Sequence, residues 1–213
     1  KADAEVLIIR LNTPGGLLES TNDIVIRMMA SEVPIIVYVA PSGGRAASAG
    51  VFITMAAHIA AMAPTTHIGA ASPIQMEGKM DATKERKAMN DTAAMARSIA
   101  EKRGRNARWA EEAVRKAVSA TEPEALKLKV IDLVAPDITA LLKAIDGKTV
   151  EVVMGKRTLK TAGAEVVPIR MGFRDKLLGI ISNPNIAYIL MILGFYGLYF
   201  ELSNPGAIFP GVV

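Results

Sequence analysis

Residues 34–58 read PIIVYVAPSGGRAASAGVFITMAAH, and the order of residue types in that stretch decides the fold. "PIIVYV" is a short, unbroken apolar run rich in β-branched residues, the pattern of a strand covered on both faces. The pair Gly43–Gly44 turns the chain, and the small residues beyond it predict a helix from about Ala46 to Ala57. A buried strand that feeds a buried helix through a glycine turn is the building unit of an α/β layer structure. Within that turn stands one hydroxyl, Ser48, between Ala46, Ala47, Ala49 and Gly50. Either Ser48 is small so that the helix can pack closely, or its neighbours are small so that a substrate can reach it.

The same grammar extends outward. "EVLIIRL" (5–11) reads as a buried strand, "NTPGG" (12–16) ends it, and "LLESTNDIVIRMMA" (17–30) predicts a helix with Leu17, Leu18, Ile24, Val25, Met28 and Met29 on its inner face. "IAAMA" (59–63) predicts a third short strand. Strand, turn and helix alternate, so the fold class is α/β with a mostly parallel sheet. From Glu85 to Lys116 the spacing predicts two helices joined near "RGRN", their charges forming a solvated face. "TEPEALKL" opens a further helix with Thr121 as its cap, Pro123 in the first turn and Glu124 three residues after the cap, a capping-box arrangement. "VIDLV" predicts a strand, "DITALLKAI" a helix, and "TVEVVMGKRTLKTAG" a hairpin around Gly155.

Half of the 213 residues are apolar, enough to bury one sizeable core and leave a segment outside it. The net charge of +4 is spread among interleaved acids, and four tyrosines and one tryptophan offer little to stack on bases, which argues against a nucleic-acid partner. Without cysteine there is neither a disulfide framework nor a thiolate metal site. After Lys176 the single charged residue is Glu201, and the uncharged run from Gly179 to Phe200 matches the roughly 20 residues a bilayer core demands. With Tyr188, Tyr196 and Tyr199 in it, residues 184–202 predict a membrane helix. The expected organisation is a globular domain over 1–178 and a membrane segment over 179–213, with more chain upstream of Lys1 and further spans after "AIFPGVV". The uncharged run 46–76 is too rich in Ala, Gly, Ser and Thr, and too broken by Pro64, to enter lipid, and is assigned to the core.

Two turns carry possible chemistry. Successive glycines in "NTPGG" let consecutive N–H groups converge near a helix start, where negative charge is stabilised. No P-loop lysine or G-x-G-x-x-G follows, so a nucleotide site is not indicated. A serine nucleophile needs a base, because its hydroxyl is protonated at neutral pH. His58 falls at the far end of the helix from Ser48, more than about 10 Å away, and is excluded. His67, in "PTTHIGAASP", and a lysine remain. Lys87 opens a helix in "TKERKAMNDTAAMAR", although composition alone makes an exposed lysine the simpler reading.

Taken together, "LNTPGG", "PSGGRAASAG", "IGAASPI", "RKAMNDTAAMAR", "EALKLKVIDLVA" and "NPNIAYILMILGFYGLYFELSNPGAIFPGVV" resemble, in order and over nearly the whole chain, the NfeD family of membrane-bound serine proteases, within the wider Clp and signal-peptide-peptidase group. The resemblance implies a Clp/crotonase-like spiral of β-β-α units followed by a C-terminal transmembrane helix, and a serine endopeptidase that uses no cofactor and no metal. It makes Ser48 the nucleophile, Lys87 the base of a Ser-Lys dyad, and Gly15, Gly16 and the Ala49 N–H the oxyanion hole. Where Clp proteases have a histidine before Gln-Pro this chain has Ser72-Pro73, which favours lysine over His67; Lys129 stands where the wider group commonly has glycine. Hydrophobic peptide or protein substrates, a stomatin-type membrane partner and a homodimer are further implications, with Met76, Met80 and Met89 as candidate groove residues. The resemblance puts the protease domain at the cell membrane on the extracytoplasmic side, against the weak opposite vote of Arg170, Arg174 and Lys176. A crotonase-type acyl-CoA enzyme and a non-catalytic membrane scaffold are the competing classes.

Overall fold

The computed structural model describes residues 4–73, 81–169, 172–181 and 183–203. Of the features singled out above, Met76, Met80, Arg170 and the apolar stretch 207–213 lie outside the described residues. The chain divides into two units, Lys1–Ala164 and Glu165–Val213.

In the first unit the elements run β1 (Leu7–Leu11), α1 (Leu18–Met29), β2 (Ile35–Val39), β3 (Arg45–Ala47), α2 (Ala49–Ala56), β4 (Ile59–Met62), β5 (His67–Gly69), α3 (Ala82–Lys102), α4 (Ala107–Arg115), β6 (Ser119–Thr121), α5 (Glu122–Lys127), β7 (Leu133–Val134), α6 (Ile138–Ile145), β8 (Thr149–Val152) and β9 (Gly155–Thr158). A parallel sheet in the order β1-β2-β4-β7 forms the main layer, with Ile36 opposite Ile59 and Ile8 opposite Ile36. β3, β5 and β6 make a second, smaller sheet, β5 pairing in parallel with β3 and antiparallel with β6. Strand-strand-helix units thus occur twice in succession, as β2-β3-α2 and β4-β5-α3. β8 and β9 form the expected hairpin.

Every residue of β2 and of α2 is buried. A helix with no wet face must have its unpaired terminal groups satisfied by protein. At the C-terminal end of α2, Arg103 Nε donates to the Ala56 carbonyl at 2.8 Å and Arg105 Nη1 to the Met55 carbonyl at 3.3 Å. Arg105, only 7% exposed, also meets Asp132 Oδ2 at 2.6 Å, and the same oxygen accepts the Ala60 N–H. The "RGR" between α3 and α4 makes this possible. Gly104 takes a positive φ of 65°, its N–H bonds the Glu101 carbonyl, and the Arg105 N–H bonds Ala100, a Schellman closure of α3.

Several expectations change. The helix expected from Ala46 begins only at Ala49, because residues 45–47 pair with 67–69 as a strand and Ala46 bridges to Thr13. In α1 the buried stripe is Thr21, Val25 and Met28, one narrow i, i+4, i+7 row, while Leu17, Leu18 and Ile24 remain 59%, 44% and 40% exposed. The capping box of α5 is present: Glu124 Oε2 accepts the Thr121 N–H at 2.8 Å. Lys129 has φ 57°, the left-handed turn a glycine would occupy without strain.

The second unit holds α7 (Phe173–Ile181) and α8 (Pro184–Ser203). Among the described residues no helix is long and apolar enough to cross a membrane. The span expected over 184–202 is met as a helix, the 20-residue α8.

His58 lies just beyond α2, where its Nδ1 accepts the Ile35 N–H at 3.0 Å. Burial, followed by the positive charge of Arg103, lowers its pKa from 6.5 to about 4. Between those values the unfolded chain binds more protons than the folded one, so this stabilisation is complete above pH 6.5 and is lost as the pH falls towards 4. In thermal melts, His58→Asn, which keeps an acceptor for Ile35, is expected to show a shallower loss of Tm than wild type across that window. Equal slopes would refute the assignment.

Candidate active site

The small sheet and the main sheet meet at Ser48. Asn12 Oδ1 accepts the Arg45 N–H at 3.1 Å, the Thr13 N–H bonds the Arg45 carbonyl at 2.8 Å, and the Ala47 N–H bonds the Thr13 carbonyl at 3.1 Å, so "NTPGG" is laced to "RAAS". On the other side the Ser48 N–H donates to the Gly69 carbonyl at 3.1 Å. A β-carbon on Gly69 (φ 146°) would collide with the Val118 carbonyl and Ser119, so only glycine lets β5 pass there. Gly50, in the first turn of α2, also needs its hydrogen: a β-carbon would lie 2.9 Å from Thr13 Cγ2 and 3.1 Å from Ala46 Cβ. Close packing between this turn and Thr13 is therefore the task of Ala46 and Gly50.

Ser48 caps α2 with φ 52° and ψ −112°. Such a pair is foreign to L residues and costs on the order of 1–3 kcal/mol, held only where the surroundings over-determine it. The strained strand-to-helix turn presents a side chain at the mouth of the helix. Ser48 Oγ makes no hydrogen bond among the described residues, and its residue is half-buried.

Around this hydroxyl the two glycines serve different ends. A β-carbon on Gly15 (φ 145°) would sit 3.0 Å from Ser48 Cβ and 3.4 Å from Ser48 Oγ, so Gly15 keeps the space beside the hydroxyl open. The Gly15 N–H is committed to Thr13 Oγ1 at 3.1 Å, and the Thr13 hydroxyl donates to the Gly15 carbonyl at 2.9 Å. Gly16 lies against Ala49, where an added β-carbon would be 3.6 Å from Ala49 Cβ. Among the described residues the N–H groups of Gly16 and Ala49 have no partner. Two helix starts, those of α1 and α2, therefore approach one another beside Ser48, where their partial positive charges favour an anion.

Lys87 sits in the second turn of α3, on a stretch from Asp81 to Lys87 that is exposed throughout. Among the described residues it makes no hydrogen bond or ion pair, to Ser48 or to any other group. His67 is exposed at the start of β5, opposite Arg45 and so three strand positions from Ser48, roughly 10 Å along the strand. The sequence singled out Ser48 and the glycine pair; it missed Thr13, whose hydroxyl pins the Gly15 turn, and Gly69, whose carbonyl anchors Ser48. The lone glycine that closes the short apolar run in "IGAASPI" is the sequence signal for it, and the structure gives that glycine a φ of 146°. No group of three or more metal-ligating side chains occurs among the described residues.

Residues 1–162 match the N-terminal domain of NfeD1b, and residues 185–213 match the NfeD integral membrane domain. The chain belongs to the NfeD family. It is 41% identical over 208 residues to the membrane-bound protease PH1510 of Pyrococcus horikoshii, an alignment that takes in 96% of this chain and 47% of that protein. The chain spans about half the length of the curated relatives it matches. Among solved structures it is similar to the 1510-N membrane-bound stomatin-specific protease: to a lysine-to-alanine variant in complex with a substrate peptide (TM-score 0.76, 39% identity, 84% of each chain) and to a serine-to-alanine variant (TM-score 0.73, 41% identity, 80% of this chain and 84% of that one).

The strain at Ser48 can be read by substitution. Glycine populates the observed φ and ψ freely, whereas alanine does not. Ser48→Gly is expected to be about 1 kcal/mol more stable than Ser48→Ala in chemical denaturation. An alanine variant at least as stable as the glycine variant would mean the turn is unstrained.

Proposed function

We propose that this NfeD-family chain is a membrane-bound serine endopeptidase in which Ser48 and Lys87 form the dyad. The observation that carries the reading is the strained backbone of Ser48, whose hydroxyl lies beside the N–H groups of Gly16 and Ala49, all three without a hydrogen-bond partner among the described residues. The relatives support it. In the 1510-N protease a serine and a lysine were each replaced by alanine, the lysine variant being in complex with a substrate peptide, and their separation along the chain is within a few residues of that between Ser48 and Lys87.

The proposed reaction is acyl transfer. Lys87, in its neutral form, takes the Ser48 proton as Oγ attacks the scissile carbonyl carbon. The resulting oxyanion lies between the N–H groups of Gly16 and Ala49. The lysine then gives its proton to the departing amine, and water, deprotonated by the same lysine, hydrolyses the acyl-serine. An amine serves as a base only out of water, so the dyad needs Lys87 to be covered when substrate is bound. Leu17 and Leu18, exposed directly after Gly16, give apolar peptides an approach to the serine, and Met89, half-buried on α3, is a further groove candidate.

For partners, the substrate class is apolar segments of membrane-associated proteins, a stomatin-type protein among them, by analogy with the stomatin specificity of 1510-N. Attachment through residues 184–202 is supported by the match to the integral membrane domain and by the apolar, exposed surface of α8, from Tyr188 to Phe200, on all sides. We place the protease domain outside the cytoplasm and working as a homodimer, on family resemblance. The solvent-exposed position of Lys87 favours one second reading, a scaffold that binds such partners without cleaving them.

Ser48→Ala and Lys87→Ala are each expected to lower kcat for an apolar peptide by about 1,000-fold or more while leaving the melting transition in place. Turnover retained in Lys87→Ala would transfer the base to His67. Partner binding without hydrolysis of any peptide by wild type would establish the scaffold instead.

A further inference from the structure

The two side chains of the proposed dyad stand on different helices, and those helices are tied together at their other ends. Ser48 caps the N-terminus of α2; Ala56 is the last residue of α2. Lys87 is in the second turn of α3; Arg103 is the C-cap of α3. The Arg103 side chain donates to the Ala56 carbonyl at 2.8 Å, so one hydrogen bond joins the tail of the serine helix to the tail of the lysine helix. The Schellman turn at Gly104 fixes where Arg103 leaves α3, and Arg105, beyond that turn, holds the adjacent Met55 carbonyl at 3.3 Å.

Packing alone leaves the other end of α3 loose. Its buried residues are Thr92, Ala93, Ala96, Ile99 and Ala100, and the core they share with α2 (Phe52, Met55, Ala56) covers only the C-terminal half. The turns from Ala82 to Lys87 are exposed. At 1.5 Å per residue Lys87 stands about 24 Å from Arg103, so a tilt of about 10° at the clamp moves the amine by about 4 Å. A shift of that size exceeds the tolerance of a hydrogen bond, and a displacement of about 1 Å is enough to cost on the order of 100-fold in rate.

We propose that Arg103 is a positioning residue for the hydrolysis reaction: by clamping the C-terminal carbonyl of α2 to the C-cap of α3 it sets the angle at which α3 delivers Lys87 to Ser48. The proposal rests on the Ser-Lys reading above. It separates from a merely stabilising role because it acts through Lys87 alone.

The test is a double-mutant cycle on the full chain in detergent, with an activated ester of an apolar acyl-amino acid so that residual acylation without a base remains measurable. Arg103→Ala is expected to lower kcat about 30-fold with KM within about 2-fold, and to lower it less than about 2-fold further in a Lys87→Ala background. Arg103→Lys, which keeps a donor for the Ala56 carbonyl, is expected to recover most of the loss. An equal cost of Arg103→Ala in both backgrounds on the ester, with Ser48→Ala and Lys87→Ala each slowed about 1,000-fold or more on an apolar peptide, overturns the clamp and leaves the protease reading standing. Full ester turnover by Ser48→Ala overturns both. If Arg103→Ala does not fold, Arg103→Gln in the same two backgrounds decides the matter by the same criterion.

Discussion

The fold turns on one constraint: α2 has no face in water, so each of its ends must be completed by protein. At the C-terminal end two guanidinium groups cover the Ala56 and Met55 carbonyls. Cations suit that end because the aligned peptide dipoles leave it partially negative. At the N-terminal end the solution is incomplete. The Gly69 carbonyl takes the Ser48 N–H, but the Ala49 N–H is left with no partner among the described residues. A buried helix whose last carbonyls are covered while its first N–H has no partner among the described residues suits the electrostatic role proposed for Ala49.

Strain at Ser48 belongs to the same arrangement. A φ of 52° persists because three neighbours leave no alternative: Thr13 bridges to Ala46 before the turn, Gly69 holds Ser48 itself, and Gly50 packs without a side chain against Thr13 after it. Two of the three contacts require a residue type that is poor on other grounds, Gly50 inside a helix and Gly69 at an unusual φ. The core therefore gives up some local stability at the point where the hydroxyl emerges, the trade expected where position matters more than stability.

How far this was legible in the sequence depended on the length over which a pattern repeats. β1, β2 and β4 announce themselves as apolar runs of four or five residues between turns, and α3 and α4 by helical spacing on both sides of "RGRN". β3, β5 and β6 have three residues each, too few for any periodicity, and so Ala46 and Ala47 read as the start of the helix that follows. At the site, Ser48 stood out because small residues on both sides of a glycine turn are uncommon, and Gly15 and Gly16 because they are tandem. Lys87 could not be read from spacing: an exposed helical lysine and a poised base have the same local sequence, and resemblance alone distinguished them. Arg103 and Arg105 passed as solvated charge, because only the Gly104 turn aims them inward.

In the proposed mechanism Lys87 marks where the burden of catalysis shifts from the fold to the substrate. The serine side is already arranged, with the Ser48 hydroxyl and the Gly16 and Ala49 N–H groups without partners among the described residues. The amine side stands on turns of α3 that bury no side chain of their own. If the dyad is the engine, the water around the amine has to be displaced by what lies across Leu17, Leu18 and Met89, and only an apolar chain displaces water there at a gain in free energy. A polar peptide would leave the amine hydrated and protonated, and the serine without a base. In the proposed mechanism, selectivity for apolar segments arises in the proton-transfer step as well as in binding, which suits a chain whose residues 185–213 match an integral membrane domain.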